Sequence, residues 1–317
     1  MMDGAAEREI IVPDDIINSI AENETEFCRK VKKIDPLTAA RNLTTGYKHS
    51  LNILQHLGNL KGLNKLDGQK ILEIGSGNGF FLCYALKHGL DIVGIEPGKT
   101  FGFTKRYEIA TKLLEVNGIK NPNNYLYDSS AEDLPFSDNS FDIVFSLAVF
   151  EHVQDIDLSI KEAIRVLRPG GIMFASVPNY NSRWEEHYDI YWIPYMNKKI
   201  AKLYVRLLGR DPGFIDDLIF TKPSLFSKYL NSKDVYGNIS LYGKDGGIYN
   251  MLPAFYRMFA DGSTPDPKAL HGLKKIIAYL LRVKLISSFC KYLSGILIKA
   301  SEYFGSARII NVILVKR

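Results

Sequence analysis

From residue 69 onward the apolar positions fall into short runs separated by longer amphipathic stretches. The runs cover residues 70–74, 91–95, 124–127, 142–148 and 172–177, and the stretches between them predict helices over 79–88, 105–117 and 155–167. Strands and helices alternating at this length imply βαβ units and a largely parallel sheet. Before the first run, Ile16, Ile17, Ile20 and Phe27 recur at helical spacing. Asp35-Pro36 reads as a break. Leu51, Leu54 and Leu57 mark a further helix over 47–60, which Gly62 and Gly68 set apart from the first strand. Beyond Pro178 the rhythm loosens into an aromatic stretch holding Trp184, Tyr188, Tyr191, Trp192, Tyr195 and Tyr204. A helix over 223–230, a strand over 238–242, a polar break over 261–267, a helical stretch over 273–303 and a β-branched terminal strand over 309–315 follow.

Composition narrows the class. An apolar content of 46% with 24% charged residues excludes a disordered chain. The first residues lack the basic and apolar regions of a secretory signal, and no run reaches the roughly 18 apolar residues of a spanning helix. Cys28, Cys83 and Cys290 lie far apart without ligand spacing, so no metal is expected and a reducing cytoplasm is.

The net charge of +5 divides unevenly. From Lys268 to Arg317 there are ten Lys or Arg against one acid, Glu302, which leaves the rest of the chain slightly acidic. That asymmetry argues against a nucleic-acid partner. Lys275, Arg282, Lys284, Lys291 and Lys299 form either a solvated face of helices packed on the sheet or a peripheral attachment to an anionic membrane surface.

The candidate chemistry begins between the first strand and its helix. Gly75, Gly77 and Gly79 there permit positive φ and close approach of a ligand to the backbone. Glu96 ends the second strand, near the offset at which an acid receives ribose hydroxyls. A nicotinamide-binding oxidoreductase shares these features, but the spacing G-x-G-x-G differs from the phosphate-cradling G-x-G-x-x-G.

Four segments carry a more specific resemblance. Glu73-Ile74-Gly75-Ser76-Gly77-Asn78-Gly79 resembles motif I of class I S-adenosylmethionine-dependent methyltransferases. Residues 130–142, beginning Ser130-Ala131-Glu132-Asp133-Leu134-Pro135, are similar to the stretch after strand 3 in the ubiquinone/menaquinone-type branch (methyltransferase type 11). Residues 145–153, ending Phe150-Glu151-His152-Val153, resemble its motif IV, and residues 163–171 resemble the helix and turn before strand 5.

The resemblance implies a three-layer α/β/α Rossmann-like sheet with an N-terminal helical lid over 1–68 and a cofactor-binding core over 69–178. Insertions and an acceptor cap including strand 6 would span 179–305, and 306–317 would return to the sheet beside strand 6 as an antiparallel hairpin. It implies S-adenosylmethionine as cofactor. Gly75, Ser76, Gly77 and Gly79 would wrap its methionine part, with Glu73 holding the ammonium, and Glu96 would take the ribose hydroxyls. Pro97, Ser130, Ala131 and Glu132 would surround the adenine, with Ser146 and Leu147 also at the cofactor; Ser130 stands where many relatives carry Asp.

Transfer from a sulfonium depends mainly on alignment of nucleophile, methyl carbon and sulfur. A general base matters when the acceptor is an alcohol. His152 is the first candidate, Glu151 the second, either as base or as a brace of the cleft, and His187 the rival. The aromatic stretch from Trp184 to Tyr195 is either the core of a cap or a pocket for a sugar or flat ring. His49, His56, His88 and His271 have no paired acid and read as surface or packing residues. The expected activity is O-methylation of a sugar, glycan or lipid-linked intermediate in the cytoplasm or at the inner face of a membrane. A quinone-like or other small aromatic acceptor is the alternative, and an inactive cofactor-binding partner protein the next.

Overall fold

In the computed structural model, which describes residues 9–60, 66, 68–98, 103–230, 232–242 and 307–317, seven strands form one mixed sheet. They are β1 (Lys70–Ile74), β2 (Asp91–Ile95), β3 (Leu126–Tyr127), β4 (Phe141–Leu147), β5 (Leu167–Pro178), β8 (Val235–Tyr242) and β9 (Ile309–Lys316), in the order β3-β2-β1-β4-β5-β9-β8. The first five run parallel. The β-branched β9 lies antiparallel to both β5 and β8 and closes the sheet. Strand order reverses between β1 and β4, which makes the carboxyl ends of these two strands the place where a ligand binds in such sheets.

Helices cover both faces. On one, α1 (Asp14–Asn23), α2 (Pro36–Leu60), α3 (Phe80–Lys87) and α4 (Arg106–Val116) bring Ile16, Ile20, Leu54, Leu57, Leu82 and Leu113 against Ile71, Ile92 and Phe145. On the other, α5 (Ile156–Val166) and the short α7 (Pro223–Ser227) bring Ile160, Ala163 and Phe226 against Leu72, Val144, Met173 and Val312. Neighbouring strand residues such as Ile71 and Leu72 thus serve opposite cores, as the pleat dictates. This is the three-layer α/β/α architecture expected.

Two local expectations are corrected. Asp35-Pro36 does break the N-terminal helical stretch, which ends at Lys32, but the helix expected from residue 47 starts at once: α2 runs unbroken from Pro36, and the Asp35 carboxylate accepts from both the Thr38 N–H and its hydroxyl at 2.8 Å. Proline is at home in a first turn, where its missing donor is not needed. Strand β5 also starts earlier than its apolar run, because Leu167 pairs with Phe141 before the Pro169-Gly170-Gly171 bend shifts the register.

Between β5 and β8 lies a cap. The hairpin of β6 (Trp184–Glu185) and β7 (Ile190–Tyr191) precedes α6 (Lys198–Leu207) and a 3-10 turn at Gly213–Ile215. Tyr180, Tyr188, Trp192, Met196, Val205 and Ile215 form a third core. Tyr188 is fully buried, and Trp192 is 1% exposed. Val31, from a π-helical turn at Phe27–Lys32, joins them. Arg210 donates to the Val31 carbonyl at 2.6 Å, which anchors the cap to the N-terminal segment. The helical stretch 273–303, with its basic residues, lies outside the described residues.

Candidate active site

The turn after β1 carries Gly75, Gly77 and Gly79, all at positive φ. Gly79 also touches α4: a Cβ there would stand 2.8 Å from that of Ala110. Gly94 in β2, unnoticed in the sequence, leaves room for the Ser76 side chain. Ser76 then donates to Glu73 at 2.8 Å, and the Gly77 N–H donates to Glu96 at 2.8 Å. Both carboxyls are buried. Burial pushes Glu73 up to about 8, against the bond from Ser76. Glu96 is raised for the same reason, opposed by the Arg106 charge and the Gly77 bond.

The other positions expected at the cofactor border the same crest. Ser146 and Leu147 end β4, and Pro97 follows β2. Ala131 is buried, while Ser130 and Glu132 are half-buried. The Glu132 carboxylate accepts from the Gln154 N–H at 2.7 Å, and so braces the approach to α5. Ser146 Oγ and Asn78 Oδ1 are buried without a hydrogen-bond partner among the described residues. Two orphaned polar atoms, two buried carboxyls and a glycine turn suit a polar ligand that supplies an ammonium and hydroxyls.

Beyond β4 the chain turns through Ala148, a non-glycine residue at φ 53°. Glu151 and His152 follow, and the β6–β7 turn brings His187 to them. The two imidazoles face each other Nε2 to Nε2 at 3.2 Å, and Glu151 Oε1 lies 4.0 Å from each of these nitrogens. His187 Nδ1 is 2.8 Å from Glu185 Oε1, a buried acid that also accepts from the Tyr188 N–H and the Tyr180 hydroxyl. Burial alone would raise Glu185, but His187 and these donors hold it below the ordinary carboxylate range. Burial alone would lower His187, and Glu185 reverses that. His152 is driven down by burial, then by the charges of His187 and Arg106, so it is neutral near pH 7.

All three candidate catalytic residues therefore meet at one point. Sequence reading missed Glu185, two positions before His187, as well as Phe214 and Phe27. The Phe214 ring lies 5.9 Å from that of His152 and 5.5 Å from that of His187, and Phe27 packs on it at 4.8 Å. An acid two residues from a histidine beside a tight turn is the one signal that could have pointed to Glu185. Neither phenylalanine carries any in the sequence.

A doubly flanked, mostly parallel sheet with buried acids at the ends of β1 and β2 is the frame on which Rossmann-like enzymes hold a nucleoside-bearing cofactor. Residues 72–175 match the methyltransferase domain family. A ubiquinone biosynthesis O-methyltransferase from Mesorhizobium japonicum is 29% identical over 57% of this chain and 75% of its own. One of the same name from Rhizobium etli is 26% identical over 51% of this chain and 62% of its own. The chain spans under two thirds of most such relatives. A Haemonchus contortus phospholethanolamine N-methyltransferase 2, solved with S-adenosylhomocysteine, aligns over 86% of this chain and 53% of its own at 15% identity, with a TM-score of 0.46. Residues 72–175 thus form a class I S-adenosylmethionine-dependent methyltransferase domain, similar to those of the ubiquinone-type branch, with S-adenosylmethionine as its cofactor.

Proposed function

We propose that the chain methylates a hydroxyl oxygen on a phenolic, quinone-like acceptor. The observation that carries this reading is the pair of facing Nε2 atoms at 3.2 Å with the Phe214 ring beside both. The pair is a place to activate a hydroxyl, and the ring is a surface for a flat, apolar acceptor. The names of the relatives from Mesorhizobium and Rhizobium support the same chemistry. The aromatic stretch that favoured a sugar contributes Tyr188 and Trp192 to the core of the cap, so it offers no stacking platform through them. A lipid-linked acceptor rests on the basic residues between 268 and 299, outside the described residues.

Bound S-adenosylmethionine supplies an electrophilic methyl carbon. Glu73 and Glu96 bind and orient at the crest, and Glu185 fixes the His187 ring so that Nε2 faces the acceptor. Alignment contributes most of the acceleration, and loss of the proton from a hydroxyl held beside the histidine pair contributes about 10²–10⁴-fold. The test is incubation with methyl-labelled cofactor and, in parallel, catechols and hydroxylated quinols, glycans, and lipid-linked sugars. Label in the phenolic fraction, lost in His187→Ala, is expected. Label confined to sugar fractions replaces the acceptor, and binding of cofactor without label anywhere favours an inactive partner protein.

A further inference from the structure

Positioning of an acceptor hydroxyl by two histidines leaves Glu151 unexplained. Its side chain is 0% exposed, and neither carboxylate oxygen has a hydrogen-bond partner among the described residues. Buried polar atoms left without a partner mark a place for a ligand, water or ion that the protein itself does not supply. A shared proton would satisfy the two imidazoles but would leave this carboxylate bare.

The three distances have a simple geometric consequence. A triangle with sides of 3.2, 4.0 and 4.0 Å has a centre about 2.2 Å from each of His152 Nε2, His187 Nε2 and Glu151 Oε1. Metal–imidazole and metal–carboxylate bonds are about 2.0–2.2 Å long. The far side of the His187 ring is also prepared, since Glu185 Oε1 holds its Nδ1 at 2.8 Å. A carboxylate partner of this kind fixes the tautomer and leaves the facing lone pair for a metal.

We propose that Glu151, His152 and His187 form a site for one divalent first-row transition-metal ion of the zinc class, beside the cofactor crest. Two imidazoles disfavour magnesium and calcium, which take oxygen ligands. Three protein ligands leave a position open for an acceptor oxygen. A hydroxyl bound there becomes more acidic, as metal-bound water does, and its proton passes to solvent water because both imidazole lone pairs are engaged. This use of the site rests on the acceptor reading above; the binding of the ion does not.

The experiment strips the full chain with a chelator and titrates it with zinc, then records the visible spectrum with cobalt(II). One equivalent of zinc is expected, with intense d–d absorption from cobalt bound to nitrogen and oxygen. Glu151→Gln and His187→Ala should weaken zinc on the order of 100-fold, and Glu185→Gln, which removes a positioning partner and no ligand, about 10–100-fold. His88→Ala, outside the cluster, should bind zinc as the native chain does. Retained S-adenosylmethionine binding identifies folded variants, and the native cobalt spectrum is independent of any substitution. No stoichiometric binding by the native chain, or equal binding by folded Glu151→Gln and His187→Ala, would overturn the site. Metal binding without phenolic methylation leaves the site standing and removes the acceptor reading; phenolic methylation by a chain that binds no metal does the reverse.

Discussion

Glu73 shows how one residue couples the fold to the ligand. Its carboxyl, buried beside Glu96, keeps a proton up to about pH 8 in the ligand-free fold, whereas an unfolded chain releases it near 4.5. The folded state therefore binds more protons across that window, and stability falls as pH rises through it. We expect the melting temperature of the ligand-free chain to decline between pH 5 and 8 more steeply than that of Glu73→Gln. Equal slopes in a calorimetric pH series would reject this. An ammonium placed against Glu73 favours the ionised form, so cofactor binding near pH 6.5 should release protons, seen as a buffer-dependent enthalpy. Glu73, the three glycines and Glu96 were legible in the sequence because one strand, its turn and the end of the next strand hold them. Glu185 was not, because its meaning depends on which residue the β6–β7 turn brings across from β4.

At the scale of elements, the closure of the sheet depends on a lysine. Lys316, near the end of β9, donates to the Arg165 and Leu167 carbonyls at 3.0 and 2.7 Å and to Asn139 Oδ1 at 2.9 Å. It so places a cation at the end of α5, where the Arg165 carbonyl accepts from it as well as from the Asn139 N–H at 3.2 Å. Lys316→Met keeps the stem and removes these bonds; a loss of about 1–3 kcal/mol is expected from hydrogen bonds to a charged donor. Urea unfolding with an unchanged midpoint would dismiss this role. Gly79 is the second test, since alanine there meets both a strained φ and Ala110. Gly79→Ala should cost about 1–3 kcal/mol in the same assay and weaken cofactor binding, because α3 and α4 must part. The parallel strands and terminal hairpin were legible from hydrophobic rhythm. The early start of β5 was not, because Arg168-Pro169-Gly170-Gly171 looks like a turn whether or not Leu167 pairs with Phe141.

Over the whole molecule, three distant segments meet above the histidine pair. Phe27 packs edge-on against Phe103 at 5.4 Å and at a tilt against Phe214 at 4.8 Å, joining the N-terminal segment, the chain after β2 and the cap. Glu24 pairs with Arg106 at 3.4 Å on the same seam. Such a convergence leaves no mark in local periodicity, for Phe27 alone satisfies any amphipathic helix. If this seam shapes the acceptor end of the cleft while the β1 and β2 turns hold the cofactor, the two affinities separate. Phe27→Ala should raise the acceptor KM about tenfold, the effect of removing binding made equally in ground and transition states, with the cofactor Kd within about twofold of the native value. Steady-state kinetics paired with cofactor calorimetry decides it: a cofactor Kd that weakens in step with KM would place Phe27 in the cofactor site, and an unchanged KM would leave it a packing residue of the cap.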